Sequence, residues 1–273
     1  MKSSFQNRKN FSKSESFNKI STTVIKMNNT FKIIGGLAVC GALFFGVSTL
    51  LNSVTPTGDT TNSTGGGAAK YEGKQDIKNS PYFAAPDVFN MQSNENLVIL
   101  PKFKTRQQST GYTCAPAAAA MVVEHFLGKL PHSEMEMAKI MQTNNINGTN
   151  VKGIAKYFKE LGWEVSSSAI EDAPSKFSVF SRWVQSNLRD NTPIIVENVE
   201  WGGHYRVIIG YDTMGTQYSG DDVLIMADPF DLADHVQDGY NIENAQKFYY
   251  MWFDHQLYSK SEQNKIWLTA KPK

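Results

Sequence analysis

The chain has 273 residues, 41% hydrophobic and 19% charged, with a formal net charge of +1. That length supports a substantial core, and the near-neutral balance excludes a charge-driven nucleic-acid binder, so no nucleic-acid partner is expected. The charge is unevenly spread: residues 1–32 carry seven basic side chains (Lys2, Arg8, Lys9, Lys13, Lys19, Lys26, Lys32) against the single acid Glu15.

Next in the chain is IIGGLAVCGALFFGVSTLL, residues 33–51, which holds no charge and approaches the ~20 residues of a bilayer-spanning helix. The basic tail, residues 1–32, is then cytoplasmic, and everything beyond this single transmembrane anchor lies outside the cell membrane. A cleaved signal peptide that releases a secreted protein is the rival, but the basic region is long for one and no A-x-A site follows. Cys40 sits in LAVC, where Val39 is too large for a lipid-attachment box, and is read as packed within the membrane helix. Residues 52–79 are rich in Ser, Thr, Gly and Asn and form a flexible linker. The folded domain is expected over residues 80–273.

Within that domain the helical signals come first. Pro116 suits a first helical turn, and AAAAMVVEHFL continues it from Cys114 to a stop at Gly128. Ser133 and Glu136 form a capping box for SEMEMAKIM. VKGIAKYFKEL places Val151, Ile154, Phe158 and Leu161 on one face and ends at Gly162, and residues 176–188 make a fourth helix. Strands follow at WEVSSSAI from 163, TPIIVENV from 192, HYRVIIGY from 204, DVLIMAD from 222 and KIWLTA from 265. The order predicts an α+β fold, with a helical N-terminal half and an antiparallel sheet in the C-terminal half.

Cys114 is the only cysteine beyond the apolar segment. A helix N-terminus favours thiolate over thiol and so makes a nucleophile; the alternative is a small buried hydrophobe. A nucleophilic thiol needs a base. His125 lies on the same helix, roughly 16 Å away at 1.5 Å per residue, while His132, His235 and His255 are read as surface or packing residues. His204 follows WGG and opens a strand, so two glycines clear space for a substrate backbone. If Tyr211 faces Asp222 in an antiparallel hairpin, position 229 lies opposite His204, within one residue of Asp228. Asp228 is then either the group that orients the base or an acid that caps a turn. Trp201 either walls a substrate pocket or packs in the core. The acids of DPFDLADHVQDG lack calcium-loop spacing and read as a solvated loop, and no H-E-x-x-H occurs, so neither metal nor cofactor is expected.

QQSTGYTCAPAA, GGHYRVIIGYD and MADPFD, in that order and spacing, resemble the papain-like cysteine peptidases, most closely the bacteriocin-processing (double-glycine leader) peptidases and their stand-alone relatives. The similarity spans about residues 98–231. It implies a papain-like fold with a nucleophile at Cys114, a base at His204, an orienting Asp228, and an oxyanion-stabilising glutamine six residues before the cysteine, Gln108. Gln107 is expected to point elsewhere, because neighbours in an extended segment project to opposite sides. This chain departs from the family pattern at Ala115, where glycine is usual and whose methyl is expected to narrow the site, and at Thr113, where Asp is frequent.

The implied chemistry is acyl transfer to water on a peptide, protein or cell-wall peptide. Two alternatives remain open: a transpeptidase or transglutaminase-like acyltransferase in which an amine replaces water, and a catalytically inactive papain-like binding module. Leader removal is doubtful as the role, since leader peptidases are cytoplasmic parts of transporters and this domain is expected outside.

Overall fold

A computed structural model describes residues 82–84, 86–234, 236–254 and 265–273. The expected anchor at 33–51, the basic tail before it, the expected linker at 52–79, His235 and His255 lie outside the described residues. Among those described, no helix is long and apolar enough to cross a membrane.

Each expected helix forms, three of them with a cap that fixes one end. α1 spans Cys114–Leu127 and stops at Gly128, whose φ of 67° and N–H bond to the Glu124 carbonyl make a left-handed cap. α2, Glu134–Met141, starts on the complete Ser133/Glu136 capping box. α3, Val151–Glu160, is capped by the Asn150 side chain and buries Val151, Ile154 and Phe158. α4, Phe177–Arg189, buries Phe177, Phe180, Val184 and Leu188 at helical spacing.

The sheet is antiparallel throughout. Its strands are β1 (Leu97–Ile99), β2 (Glu164–Ser167), β3 (Ile194–Asn198), β4 (His204–Asp212), β5 (Val223–Ala227), β6 (Tyr240–Asn244) and β7 (Ile266–Lys271). The order is β2-β7-β3-β4-β5-β6, with β1 beside the far end of β4, where β3 has already ended. The central strands β3 and β4 read as near-continuous apolar runs because both of their faces are covered.

β1, β6 and the helix α5 (Ala245–Met251) are additions to the sequence reading. They leave little trace in the pattern, since β1 has three residues and β6 is a polar edge strand with Ile242 turned to solvent. Two groups of rings flank the sheet. Phe177, Phe180 and Trp183 of α4 interlock with Phe248, Tyr249, Trp252 and Trp267. Phe126, Tyr157, Phe158 and Trp163 join α1 to α3 and the start of β2.

The hairpin register differs from the expected one. Tyr211 faces Leu224, not Asp222, and an irregularity between Ile208 and Gly210 shifts the ladder so that Val207 faces Ala227. Continued outward, this sets Asp228 opposite Arg206 and leaves it two residues from the position facing His204. An offset of two keeps both side chains on one face, whereas an offset of one would have separated them.

Candidate active site

His204 begins β4 and Asp228 follows β5, and both are almost completely buried. The His204 Nε2–H donates to Asp228 Oδ1 at 2.7 Å. Burial works against a charged imidazole, but the Asp228 carboxylate, by charge and hydrogen bond, and then the Cys114 side chain raise its pKa to about 10. Burial also disfavours the Asp228 carboxylate; His204, with Arg206 and the Phe230 N–H, outweighs it and holds the group below its ordinary value. Cys114 is near enough to His204 to favour its charged ring. Because Nε2 is committed to Asp228, Nδ1 is the atom left to face the thiol.

Cys114 is the first residue of α1, and it is a buried free thiol. The N-cap residue Thr113 makes no capping bond to the helix. Its hydroxyl instead accepts the Thr110 N–H at 3.1 Å and lies 2.9 Å from the Thr110 hydroxyl, closing the loop that leads into the helix. Glu134 holds the same loop from outside, accepting the Ser109 N–H at 2.9 Å and its hydroxyl at 2.8 Å.

Both glutamines are buried and serve different partners. Gln107 Nε2 donates to the Asp228 carbonyl at 3.1 Å, while Gln108 Nε2 donates to the Thr110 carbonyl at 2.7 Å. The Gln108 N–H also binds the Pro229 carbonyl at 2.8 Å, so the strap at residues 107–108 runs along the segment that carries the carboxylate. A primary amide has two N–H donors, so Gln108 keeps one beyond its bond to Thr110.

A buried thiol beside an imidazole held charged by a carboxylate, at the N-terminus of a helix, is the arrangement of thiol nucleophiles in acyl transfer. Residues 100–257 match the model of the Peptidase_C39 like family, more than half of the chain. The chain belongs to that family.

The Peptidase_C39-like domain is thus a cysteine peptidase domain, a hydrolase with the helices and antiparallel sheet of the papain-like fold. Among solved structures it is similar to the peptidase domain of Streptococcus ComA, a bi-functional ABC transporter of a quorum-sensing pathway. That likeness has 24% identity over 63% of this chain and 99% of that one, with a TM-score of 0.41. It is also similar to a double glycine motif protease from an AMS/PCAT transporter in complex with its leader peptide, at 15% identity, 66% and 96% coverage and a TM-score of 0.37. The peptidase domain of Streptococcus mutans ComA is 19% identical over 62% of this chain and 98% of that one, with a TM-score of 0.31. No curated protein matches.

Several parts of this peptidase domain differ from the sequence reading. Ala115 is wholly buried, so its methyl belongs to the core and does not narrow an open site. The DPFDLADHVQDG loop is anchored where solvation was expected, because Asp231 is fully buried and accepts the N–H groups of Ala233 and Gly239 at 3.2 and 2.9 Å. Burial, followed by the Asp228 charge, pushes the Asp231 carboxyl up to about 8. Trp201 is 68% exposed and so is not a core residue. His125 bonds Asn191 and His132 bonds Tyr157, which leaves both in packing roles. A cavity of about 390 Å³ between α1 and α2 is lined by Arg106, Glu124, His132 and Glu134 and not by Cys114 or His204.

The sequence reading also missed Glu197, a buried acid on β3 next to Asn198, which pairs with His204 across the sheet. Burial, then the charge of Asp254 and its hydrogen bond, then Cys114, push Glu197 up to about 10. A carboxyl raised in the folded state adds stability that is complete below its unfolded pKa of about 4.3 and is lost as pH climbs toward 10. Glu197→Gln should therefore leave the melting temperature almost unchanged at pH 4.5 and raise it by roughly 4 °C or more at pH 9. Scanning calorimetry at the two pH values checks this; an equal shift at both would mean that the carboxyl does not titrate on folding.

Proposed function

We propose that this chain is a membrane-anchored, extracytoplasmic cysteine peptidase that cleaves peptide or isopeptide amide bonds. Residues 33–51 hold it in the cell membrane, residues 1–32 stay in the cytoplasm, and residues 52–79 tether the 80–273 domain. Cys114 is the nucleophile, His204 the base, Asp228 the group that orients it and Gln108 an oxyanion donor. The observation that carries this reading is the buried 2.7 Å bond between His204 Nε2 and Asp228, with Cys114 near enough to act on the same ring.

In the resting site the imidazolium and thiolate face each other. The thiolate attacks the amide carbonyl; the Gln108 amide and the Cys114 N–H stabilise the oxyanion; and His204 passes its proton to the departing amine. Water, deprotonated by His204, then attacks the thioester and frees the thiolate. Asp228 remains ionised and keeps the ring turned toward the sulfur.

The test is a diverse peptide library incubated with the full chain, with cleavage sites read by sequencing, alongside a thiol-directed activity probe. The wild type should be labelled at Cys114 and cleave peptides, and Cys114→Ala should do neither. Labelling without cleavage in any peptide context would instead favour acyl transfer to an amine. For topology, protease added to intact cells should remove the 80–273 domain and spare residues 1–32; digestion only after lysis would overturn the outward placement.

A further inference from the structure

Trp201 stands at the tip of a short 3-10 turn, Glu200–Gly202, directly before the strand that carries His204. Its φ is 54°, a left-handed conformation that a residue with a bulky side chain rarely adopts. The turn is fixed at its base. Gly202 N–H donates to the Val199 carbonyl at 3.0 Å and Gly203 N–H to the Glu200 carbonyl at 2.9 Å. The Glu200 carboxylate pairs at 3.0 Å with Arg206, itself buried and paired with Glu243 at 2.9 Å.

The strained backbone leaves the indole 68% exposed, with one ring for a neighbour. Trp201 meets Phe230 edge to face at 5.7 Å and 90°, and Phe230 meets His204 at 6.4 Å and 73°. Phe230 also donates its N–H to Asp228 Oδ1 at 2.8 Å. The three rings thus run from solvent to the imidazole, and the middle one is fixed to the carboxylate.

Chemistry decides which part of a substrate meets these rings. The oxyanion donors belong to the strap and the start of α1, whereas the proton that releases the amine comes from His204. The residue whose amino group departs must therefore lie on the imidazole side of the sulfur. We propose that Trp201, backed by Phe230, lines the subsite for that residue's side chain and selects large apolar side chains such as Phe or Leu over Gly. The inference rests on the catalytic reading given above.

Microscopic reversibility provides a test that needs no natural substrate. The p-nitrophenyl ester of an N-acylglycine, mixed with the full chain, forms a thioester at Cys114 and releases p-nitrophenol. An added amino-acid amide then attacks the thioester carbonyl: its nitrogen forms the new C–N bond and gives its proton to His204, and the C–S bond breaks to restore the thiolate. The partition of acyl group between water and the amides of Gly, Ala, Leu and Phe reads the subsite directly.

The wild type should favour the Phe and Leu amides over the Gly amide by about 10- to 30-fold, the range for a large apolar side chain in a partly open pocket. Trp201→Ala should cut that preference to within about threefold, and Trp201→Phe should retain most of it. If the wild type shows a p-nitrophenol burst but no preference among amides, or if Trp201→Ala keeps the full preference, the subsite assignment falls alone. No burst and no acyl group on Cys114 would overturn the nucleophile, and the subsite with it.

Discussion

His204→Ala should lower peptide turnover by about 10⁴- to 10⁶-fold, the scale seen when the base of a nucleophile–base pair is removed. The same variant should change how Cys114 reacts. The Asp228 carboxylate favours the charged form of the ring, and a cation beside sulfur favours thiolate. Iodoacetamide should therefore alkylate the wild-type thiol faster than the thiol of His204→Ala. The two rates, compared at one pH, read the contribution of the imidazole to the reactivity of the sulfur. Identical alkylation profiles for the two proteins would show that the imidazole does not activate this sulfur. Asp228→Asn should lie between them, since the amide can still hold the ring but carries no charge to keep it protonated.

Gln108→Ala should lower kcat by about 10²- to 10³-fold, equivalent to ~2.7–4 kcal/mol of transition-state stabilisation, while Cys114 remains as reactive toward iodoacetamide as before. Resting thiolate formation does not need the amide; only the developing oxyanion does. Gln107→Ala should behave in the opposite way. Its Nε2 satisfies the buried Asp228 carbonyl, and stranding that acceptor costs about 1–3 kcal/mol of stability, seen as a lower melting temperature with a loss in kcat of no more than about tenfold. Kinetics and melting curves on both variants separate the roles. Equal kcat losses, or the greater loss at Gln107, would put the oxyanion donor one residue out of place.

The first three helices were legible because each carries local punctuation: the Ser133/Glu136 box, the Asn150 cap and the Gly128 stop act over four residues or fewer and owe nothing to the rest of the chain, while α4 was legible from its apolar spacing. The central strands were legible from the apolar stretches Ile194–Val196 and Val207–Ile209, which burial on both faces favours. β6 was not, since an edge strand may alternate polar groups at will, and its Asn244 serves as cap to the next helix. The meeting of His204 and Asp228 was expected from an idealised ladder. The actual ladder is displaced by an irregularity between Ile208 and Gly210, for which the glycine inside the strand is the one local signal, and the two side chains meet on a diagonal. Glu134, Glu197 and Phe230 were invisible because their roles depend on partners distant in sequence: Ser109 for the first, Asp254 for the second, and Trp201 for the third.

The strap at residues 107–108 has a bearing on when this protease first becomes dangerous. Gln107 and the carbonyl it holds are 121 residues apart, so bringing them together requires a long loop to close. During synthesis the thiol and its helix emerge well before the strand pair that supplies base and carboxylate. A ribosome-bound chain therefore has a sulfur but no partner to arm it, and is harmless to the machinery that makes it. Activity arrives only with completed pairing of the sheet, which gives the chain a built-in delay.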